Sequence, residues 1–146
     1  GSNMYIVSAC LLGKNCRYNG GNSFSERVAA RIKGHNYIAV CPETAGGCPV
    51  PREPGEIRNG RVYDPAGEDL TDLFREGAEK AFAEAIELAD QLGESLEMAI
   101  LKARSPSCGC RQIYDGTFSH TVVKGDGVFA DLILRNGIEV ISEEEC

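Results

Sequence analysis

Four short apolar runs stand out along the chain, at residues 5–9, 37–40, 98–101 and 138–141. Each is largely apolar over four or five positions, although the last contains Glu139. The first three are followed by polar stretches containing glycine or proline, and the fourth by an acidic tail. Apolar runs of this length are typical of strands buried in a parallel sheet. The pattern therefore predicts four strands of a parallel sheet.

Longer segments with apolar residues at i, i+3 and i+4 alternate with these runs. They predict helices over residues 24–33, capped by Asn22 or Ser23, over 70–92, ending at Gly93, and over 128–135. The small residues at 77, 78, 81, 85 and 89 predict that the second helix lies close against the sheet as scaffold. Strands alternating with helices indicate an α/β fold, a Rossmann- or flavodoxin-like parallel sheet flanked by helices, with strand order 2-1-3-4.

One stretch has no clear periodicity. Residues 41–65 contain four prolines between positions 42 and 54, two adjacent glycines and an Asn59-Gly60 turn. This composition predicts a long irregular loop insertion, and loops of such length inside a compact domain are usually functional. A second turn, at Asp115-Gly116, predicts a small hairpin.

The length and net charge of the chain limit its domain organisation and the classes of partner it can have. The 146 residues predict a single domain over positions 4–146, with Gly1, Ser2 and Asn3 as an expression scar before Met4. The net charge of −7 argues against a nucleic-acid partner. No apolar run reaches the length of a membrane span and no signal-peptide pattern is visible, so a cytoplasmic protein is expected. The sequence does not determine the oligomeric state.

Seven cysteines are an unusual number for such a chain. Cys10 and Cys41 follow the first and second predicted strands, and Cys108 follows the third after a short loop. The carboxyl ends of parallel strands meet at one edge of a sheet, where ligands bind. The fold therefore predicts that these three thiols share a metal or cluster site. His35 and His120 lie in loops and are poor candidates for zinc ligands.

Three thiolates leave one coordination position open. This arrangement suits a zinc site with a further ligand, or a cubane cluster with one iron free to bind a substrate atom. Cys48 lies seven residues after Cys41 and Cys110 two after Cys108, so either can reach the same site and close the open position.

Five motifs together resemble the thiouracil desulfurases, a family formerly catalogued as a domain of unknown function. They are Ser8-Ala9-Cys10-Leu11-Leu12-Gly13 with Arg17-Tyr18, Cys41-Pro42-Glu43 with Gly46-Gly47 and Pro51-Arg52, Ser105-Pro106-Ser107-Cys108-Gly109, Ile113-Tyr114-Asp115-Gly116-Thr117-Phe118, and Gly125-Asp126-Gly127. The resemblance spans nearly the whole chain.

The resemblance implies a [4Fe-4S] cluster held by Cys10, Cys41 and Cys108, whose fourth iron takes the sulfur of a thiolated pyrimidine such as 2-thiouracil. It implies non-redox chemistry in which water replaces the sulfur. It also implies that Glu43 and Ser105 are catalytic, with Ser107 as the alternative serine. Independently of the family, Glu43 is suited to act as a general base, or else caps a backbone turn.

The residues are also compatible with two other functions. The first is a non-enzymatic zinc or iron–sulfur binding module in which Cys48 or Cys110 completes the site. The second is a thiol-redox protein using Cys108 and Cys110, which is the weakest because Cys-x-Cys is a strained pair without the usual helix N-terminal placement. Arg17, Arg52 and Arg104 either neutralise a cofactor's charge or pair with carboxylates.

Overall fold

The computed structural model describes residues 3–146. The eight strands are β1 Asn3–Ser8, β2 Tyr37–Val40, β3 Glu56–Arg58, β4 Arg61–Tyr63, β5 Ser95–Leu101, β6 Gln112–Tyr114, β7 Val122–Lys124 and β8 Glu139–Ser142. The helices are α1 Glu26–Ile32, α2 Pro42–Ala45, α3 Thr71–Leu92 and α4 Val128–Arg135, with short 3-10 turns at Ala9–Leu12 and Glu143–Glu145. The expression scar expected at Gly1 and Ser2 lies outside the described residues, whereas Asn3 is the first residue of β1.

Four parallel strands form the central sheet, in the order β2-β1-β5-β8. This is the predicted order of the four apolar runs, and the predicted α/β class is confirmed. Val7 of β1 pairs with Ala39 of β2 and with Ile100 of β5, and Ile100 pairs with Ile141 of β8. The register brings the carboxyl ends of all four strands to the same edge of the sheet.

Successive residues of the strands point to opposite faces, and both faces are covered. Ile6 and Leu101 belong to the core on the side of α3 and α4, together with Phe129. Val7 and Ile100 belong to the core on the side of α1. Burying a side chain of this size contributes about 1.5–3 kcal/mol. Burial on both faces explains the apolar runs of the two central strands, β1 and β5. At the edge of the sheet, Tyr37 and Ala39 of β2 are exposed.

Helix α1 begins later than predicted. Its cap is Ser25, whose Oγ accepts a hydrogen bond from the Val28 N–H at 3.3 Å, rather than Asn22 or Ser23. The preceding residues are held by the turn after β1 instead: the Ser25 N–H donates to the carbonyl of Leu11 at 2.9 Å. This contact with a distant loop outweighs the local capping-box spacing. Helix α3 ends as predicted at Gly93, which has a φ of +65°.

The insertion at 41–65 is more ordered than predicted. It contains helix α2 and an antiparallel hairpin of β3 and β4, whose turn is Asn59-Gly60. Helix α2 crosses α3 at Gly77, where an added Cβ would overlap the carbonyl oxygen of Pro42. Gly77 therefore allows α2 to pack closely against α3. The sequence had predicted that this small residue would contact the sheet instead.

A second hairpin lies beside the first. Strands β6 and β7 are antiparallel, as the Asp115-Gly116 signal indicated, but the connection spans residues 115–121 rather than a two-residue turn. The Asp115 carboxylate accepts from the Thr117 N–H at 2.9 Å and so holds the start of this loop. None of the helices in residues 3–146 combines the length and apolar character that a membrane crossing requires.

Candidate cofactor and active site

A cavity of about 470 Å³ opens at the carboxyl edge of the sheet. Ser8 of β1, Val40 of β2 and Lys102, the residue after β5, line it. Residues of the two small hairpins line it as well. Four thiols line it, those of Cys10, Cys16, Cys41 and Cys108. Ligand sites in parallel sheets lie at this edge.

The three cysteines predicted from strand ends share this cavity. Cys10 lies in the 3-10 turn directly after β1 and is 8% exposed. Cys41 precedes the first residue of α2, and Cys108 ends the turn that follows β5. Their convergence follows from strand topology, because they come from three distant parts of the chain.

The turn that carries Cys108 is fixed by its own serine and by α4. The Oγ of Ser105 accepts from the N–H of Ser107 at 3.1 Å and from the N–H of Cys108 at 3.0 Å. At the start of α4, the Phe129 N–H donates to the Ser107 carbonyl at 2.8 Å. A Cβ on Gly127 would lie 2.5 Å from that carbonyl group, so only glycine permits this approach. The position of the Cys108 thiol is thus set by a rigid turn.

Cys16 is a cavity residue that the sequence analysis did not single out. It is 4% exposed, and a hydrogen bond with the Cys10 thiol is the main cause that raises the pKa of the Cys16 thiol. The Cys41 thiol donates to the carbonyl of Cys16 at 3.7 Å. The only feature of the sequence that pointed to Cys16 is its position in the glycine-rich loop that begins at Cys10.

Cys48 and Cys110, the two additional thiols considered from the sequence, do not line the cavity. The Cys110 thiol lies 3.9 Å from Oε1 of Glu145, on the side of the C-terminal turn. Cys48 is half-buried in the insertion after α2. The fourth thiol of the cavity is therefore Cys16.

Burial affects the ionisation of the cavity thiols. The pKa of Cys108 is raised, mainly by burial, and the nearby Ser8 hydroxyl opposes this by lowering it. The pKa of Cys41 is raised first by its hydrogen bond with Cys16 and then by burial. A thiol in such surroundings favours its neutral form until a bound cation stabilises the thiolate.

The thiols are arranged around a volume rather than a point. Among residues 3–146, no three His, Cys, Asp or Glu side chains converge closely enough to hold a single metal ion. A cubane cluster binds each of its cysteines at a separate iron atom, so its ligands line a larger space. An all-thiol donor set in a cavity of this volume fits such a cluster.

Glu43 lies in the first turn of α2 and also lines the cavity. Its Oε1 accepts from Nε of Arg52 at 3.1 Å, and its Oε2 accepts from Oγ of Ser107 at 3.2 Å. The pair is well buried, with 9% of the Arg52 side chain and 14% of the Glu43 side chain exposed. Arg52 also donates to the Cys16 carbonyl at 3.0 Å. The Glu43 carboxylate is thus held by two side chains and does not cap a turn.

The two serines of the Cys108 turn occupy different positions. Ser105 lines the cavity beside Cys108. Ser107 is 1% exposed and is not a lining residue, but its hydroxyl contacts Glu43. Ser105 is therefore placed to meet a ligand directly, and Ser107 to hold Glu43.

Most cations at the cavity already have carboxylate partners. Arg104 forms two 3.0 Å hydrogen bonds with Glu144, and Lys102 contacts Glu143 at 3.1 Å. With the buried Arg52–Glu43 pair, these contacts balance three of the four cations that line the cavity; the fourth is Arg17. Of the two roles considered from the sequence, neutralising a cofactor's charge or pairing with carboxylates, Arg52 and Arg104 thus have the second.

The outer wall comes from the two hairpins and was not predicted. Its residues are Glu56 at the start of β3 and, from the β6–β7 hairpin, Tyr114, Phe118 and His120. The Tyr114 and His120 rings meet edge to face, with their centres 5.8 Å apart. The motif at residues 113–118 was the available signal, because it follows the cysteine turn directly.

Comparison with known proteins agrees with this architecture. The family model described as 2-thiouracil desulfurase matches residues 5–145. The uncharacterized protein YbbK of Bacillus subtilis (strain 168) is 41% identical over 152 residues, which covers 97% of each chain. A solved structure described as the [4Fe-4S]-dependent thiouracil desulfidase TudS is 39% identical, with a TM-score of 0.84 over 99% of this chain and 93% of that one. The chain therefore belongs to the 2-thiouracil desulfurase family.

Proposed function

We propose that this protein uses a [4Fe-4S] cluster to exchange the sulfur of a thiolated pyrimidine, such as 2-thiouracil, for the oxygen of water. The observation that carries the proposal is the shared cavity of Cys10, Cys41 and Cys108 with the carboxylate of Glu43. The relative TudS is described as a [4Fe-4S]-dependent thiouracil desulfidase, which names the same cofactor and the same class of substrate for that protein. The proposed substrate is accordingly a small molecule.

The cavity thiols suit the proposed cofactor. Sulfur ligands select iron–sulfur clusters and other soft metal centres. Cys10, Cys41 and Cys108 would hold the cluster. Its positive charge would favour the thiolate forms of Cys41 and Cys108, whose pKa values burial raises. When bound, such a cluster supplies a Lewis-acidic iron that polarises a C=S bond.

The reaction balances without electron transfer. The water oxygen bonds to the ring carbon, the carbon–sulfur bond breaks, and sulfur leaves with two protons as H2S. A base must take a proton from the attacking water. Glu43 is suited to this role because Arg52 and Ser107 fix its two oxygens at the cavity wall.

Ser105 has the complementary role in this proposal. A serine hydroxyl offers one donor and two acceptor lone pairs. The N–H groups of Ser107 and Cys108 occupy the acceptor side of Ser105 Oγ, which leaves its proton to donate towards the cavity. Ser105 would therefore hydrogen-bond to the ring or protonate the departing sulfur.

The free thiols are relevant to the cellular compartment of the protein. All seven cysteines are free. Reducing surroundings preserve such thiols, whereas secreted proteins convert them to disulfides. We extend the proposal to a cytoplasmic protein that acts as a single domain over residues 4–146.

The test is anaerobic reconstitution with iron and sulfide, followed by assay of sulfide released from 2-thiouracil. We expect the wild-type protein to show broad visible absorption and release sulfide. Cys10→Ala, Cys41→Ala and Cys108→Ala should each lose bound iron and that absorption. Cys48→Ala and Cys110→Ala are matched controls outside the cavity and should retain both.

Two results would contradict the proposal. Loss of iron from Cys48→Ala or Cys110→Ala would show that a thiol outside the cavity is a ligand. A colourless protein that retains zinc after anaerobic purification and releases no sulfide would favour the alternative, a non-enzymatic metal-binding module.

A further inference from the structure

Glu56 is a second carboxylate at the cavity, contributed by the first residue of β3. It is only 8% exposed. Its Oε1 accepts two hydrogen bonds at 3.1 Å, from the N–H groups of Gly116 and Phe118 in the β6–β7 loop. The carboxylate therefore ties one hairpin to the other across 60 residues of sequence.

The other oxygen of Glu56 has a different environment. Within residues 3–146, Oε2 accepts no hydrogen bond, and Glu56 is a lining residue of the cavity. Both oxygens of Glu43, by comparison, are already held by Arg52 and Ser107. Glu56 thus offers the cavity a carboxylate oxygen that is fixed in place and free to accept.

Among residues 3–146, Glu94 Oε2 is the side-chain atom that is fully buried without a hydrogen-bond partner, so Glu56 Oε2 keeps solvent access at the cavity. A ligand that brings an N–H group can replace the water at this oxygen with a hydrogen bond to a charged acceptor. The surrounding wall indicates the shape of such a ligand. Tyr114 and Phe118 also line the cavity, and aromatic side chains suit contact with a flat ring. A pyrimidine of the thiouracil type combines a flat ring with N–H donors at its edge.

We propose that Oε2 of Glu56 accepts a hydrogen bond from a ring N–H of the thiolated pyrimidine and so positions the base in the cavity. The inference rests on the proposed function, because it names the contact by which that substrate is recognised. It also limits the substrate class to rings that are unsubstituted at the nitrogen facing Glu56.

The decisive variant is Glu56→Gln, studied in the anaerobically reconstituted protein. The amide oxygen can replace Oε1 as acceptor for Gly116 and Phe118, so the tether between the hairpins is retained. The amide NH2 group then faces the cavity and opposes the ring N–H, donor against donor. Glu53→Gln is the matched control, because Glu53 lies three residues away on an exposed position.

The first measurement is the dissociation constant of uracil by titration calorimetry. Uracil has the ring N–H groups but no sulfur, so its binding separates recognition from chemistry. We expect Glu56→Gln to weaken uracil binding on the order of tenfold, the effect of losing a hydrogen bond to a charged group. Glu53→Gln should bind uracil as the wild type does. The KM for 2-thiouracil should rise in parallel in Glu56→Gln.

The second measurement repeats the titration with 1-methyluracil and 3-methyluracil. One of the two lacks the N–H that Glu56 receives. For that analogue the wild type loses its advantage, and the ratio of the variant and wild-type dissociation constants should fall to about one. For the other analogue the ratio should stay on the order of tenfold.

The inference is overturned if Glu56→Gln binds uracil within twofold of the wild type, since Glu56 would then be a tether alone. Equal weakening for both methylated analogues would also overturn it, as would wild-type protein that binds no uracil. If the wild-type protein releases no sulfide but the uracil and methyluracil dissociation constants follow the expected pattern, the proposed desulfurase reaction is wrong. The proposed contact between Glu56 and the ring is then still supported.

Discussion

Ser105 and Ser107 lie in one turn, yet the Ser105 hydroxyl accepts hydrogen bonds whereas the Ser107 hydroxyl donates one. Ser105 accepts from two backbone N–H groups and has its proton free at the cavity. Ser107 donates its proton to Glu43 and is buried. The first hydroxyl can act on a substrate, whereas the second orients the proposed base.

This difference predicts unequal losses for the two alanine variants. Ser105→Ala removes a donor to the reacting groups, and we expect kcat to fall on the order of 100-fold. Ser107→Ala leaves the Arg52 contact of Glu43 intact, and we expect a fall of about tenfold or less. The measurement is the rate of sulfide release per bound iron, which corrects for any cluster lost with the turn. A larger loss in Ser107→Ala would assign the direct role to Ser107.

At the scale of elements, the close crossing of α2 and α3 positions the site. An added Cβ on Gly77 would overlap the Pro42 carbonyl, and one on Gly46 would overlap the carbonyl of Leu73. The two glycines therefore allow helix backbones to touch. Cys41 and Glu43 lie at the start of α2, so this contact sets their distance from the sheet edge.

We expect Gly77→Ala to push α2 away from α3. Overpacking at a close contact costs about 1–3 kcal/mol, which for a domain of this size lowers Tm by several degrees. Bound iron per chain should fall as well, because Cys41 moves with α2. Glu76→Ala, at the exposed neighbouring position of the same helix, should leave both quantities unchanged. An unaltered Tm for Gly77→Ala would show that the contact is not tight.

At the scale of the whole molecule, the C-terminal turn is bound to the loop after β5. Glu143 accepts from the Ala103 N–H at 2.7 Å and contacts Lys102 at 3.1 Å. Further along the same two segments, Glu144 pairs with Arg104, and Glu145 pairs with Arg111. The acidic end of the chain therefore fixes the loop that leads to Ser105 and Cys108.

Removing Glu143 tests this role. Glu143→Ala leaves the buried Ala103 N–H without its acceptor, and we expect the free energy of unfolding to fall by about 1–3 kcal/mol. Glu144→Ala is the control. Its side chain is 54% exposed, and breaking such a surface pair costs about 0–1 kcal/mol. Denaturant unfolding of both variants is the measurement. Equal stability of the two would show that the C-terminal turn does not brace the loop.

Much of the fold could be predicted from the sequence because it depends on local patterns. Continuous apolar runs identified the four sheet strands, and helical periodicity predicted the bounds of α4, Val128–Arg135. Right-handed crossovers between parallel strands favoured the strand order that the structure has. The placement of Cys10, Cys41 and Cys108 at one edge followed from the parallel direction of the strands.

The details of the site depended on contacts between distant loops. Arg52 reaches the Cys16 carbonyl across 36 positions, and Glu56 reaches the Phe118 N–H across 62. Such contacts decided that Cys16, rather than Cys48 or Cys110, is the fourth thiol of the cavity. They also separated Ser105 from Ser107 and turned Glu56 towards the ligand space. The sequence determined which strand ends meet, because strand topology follows from hydrophobic periodicity. Only the tertiary structure decided where the loop side chains point, because irregular backbone takes its direction from what it packs against.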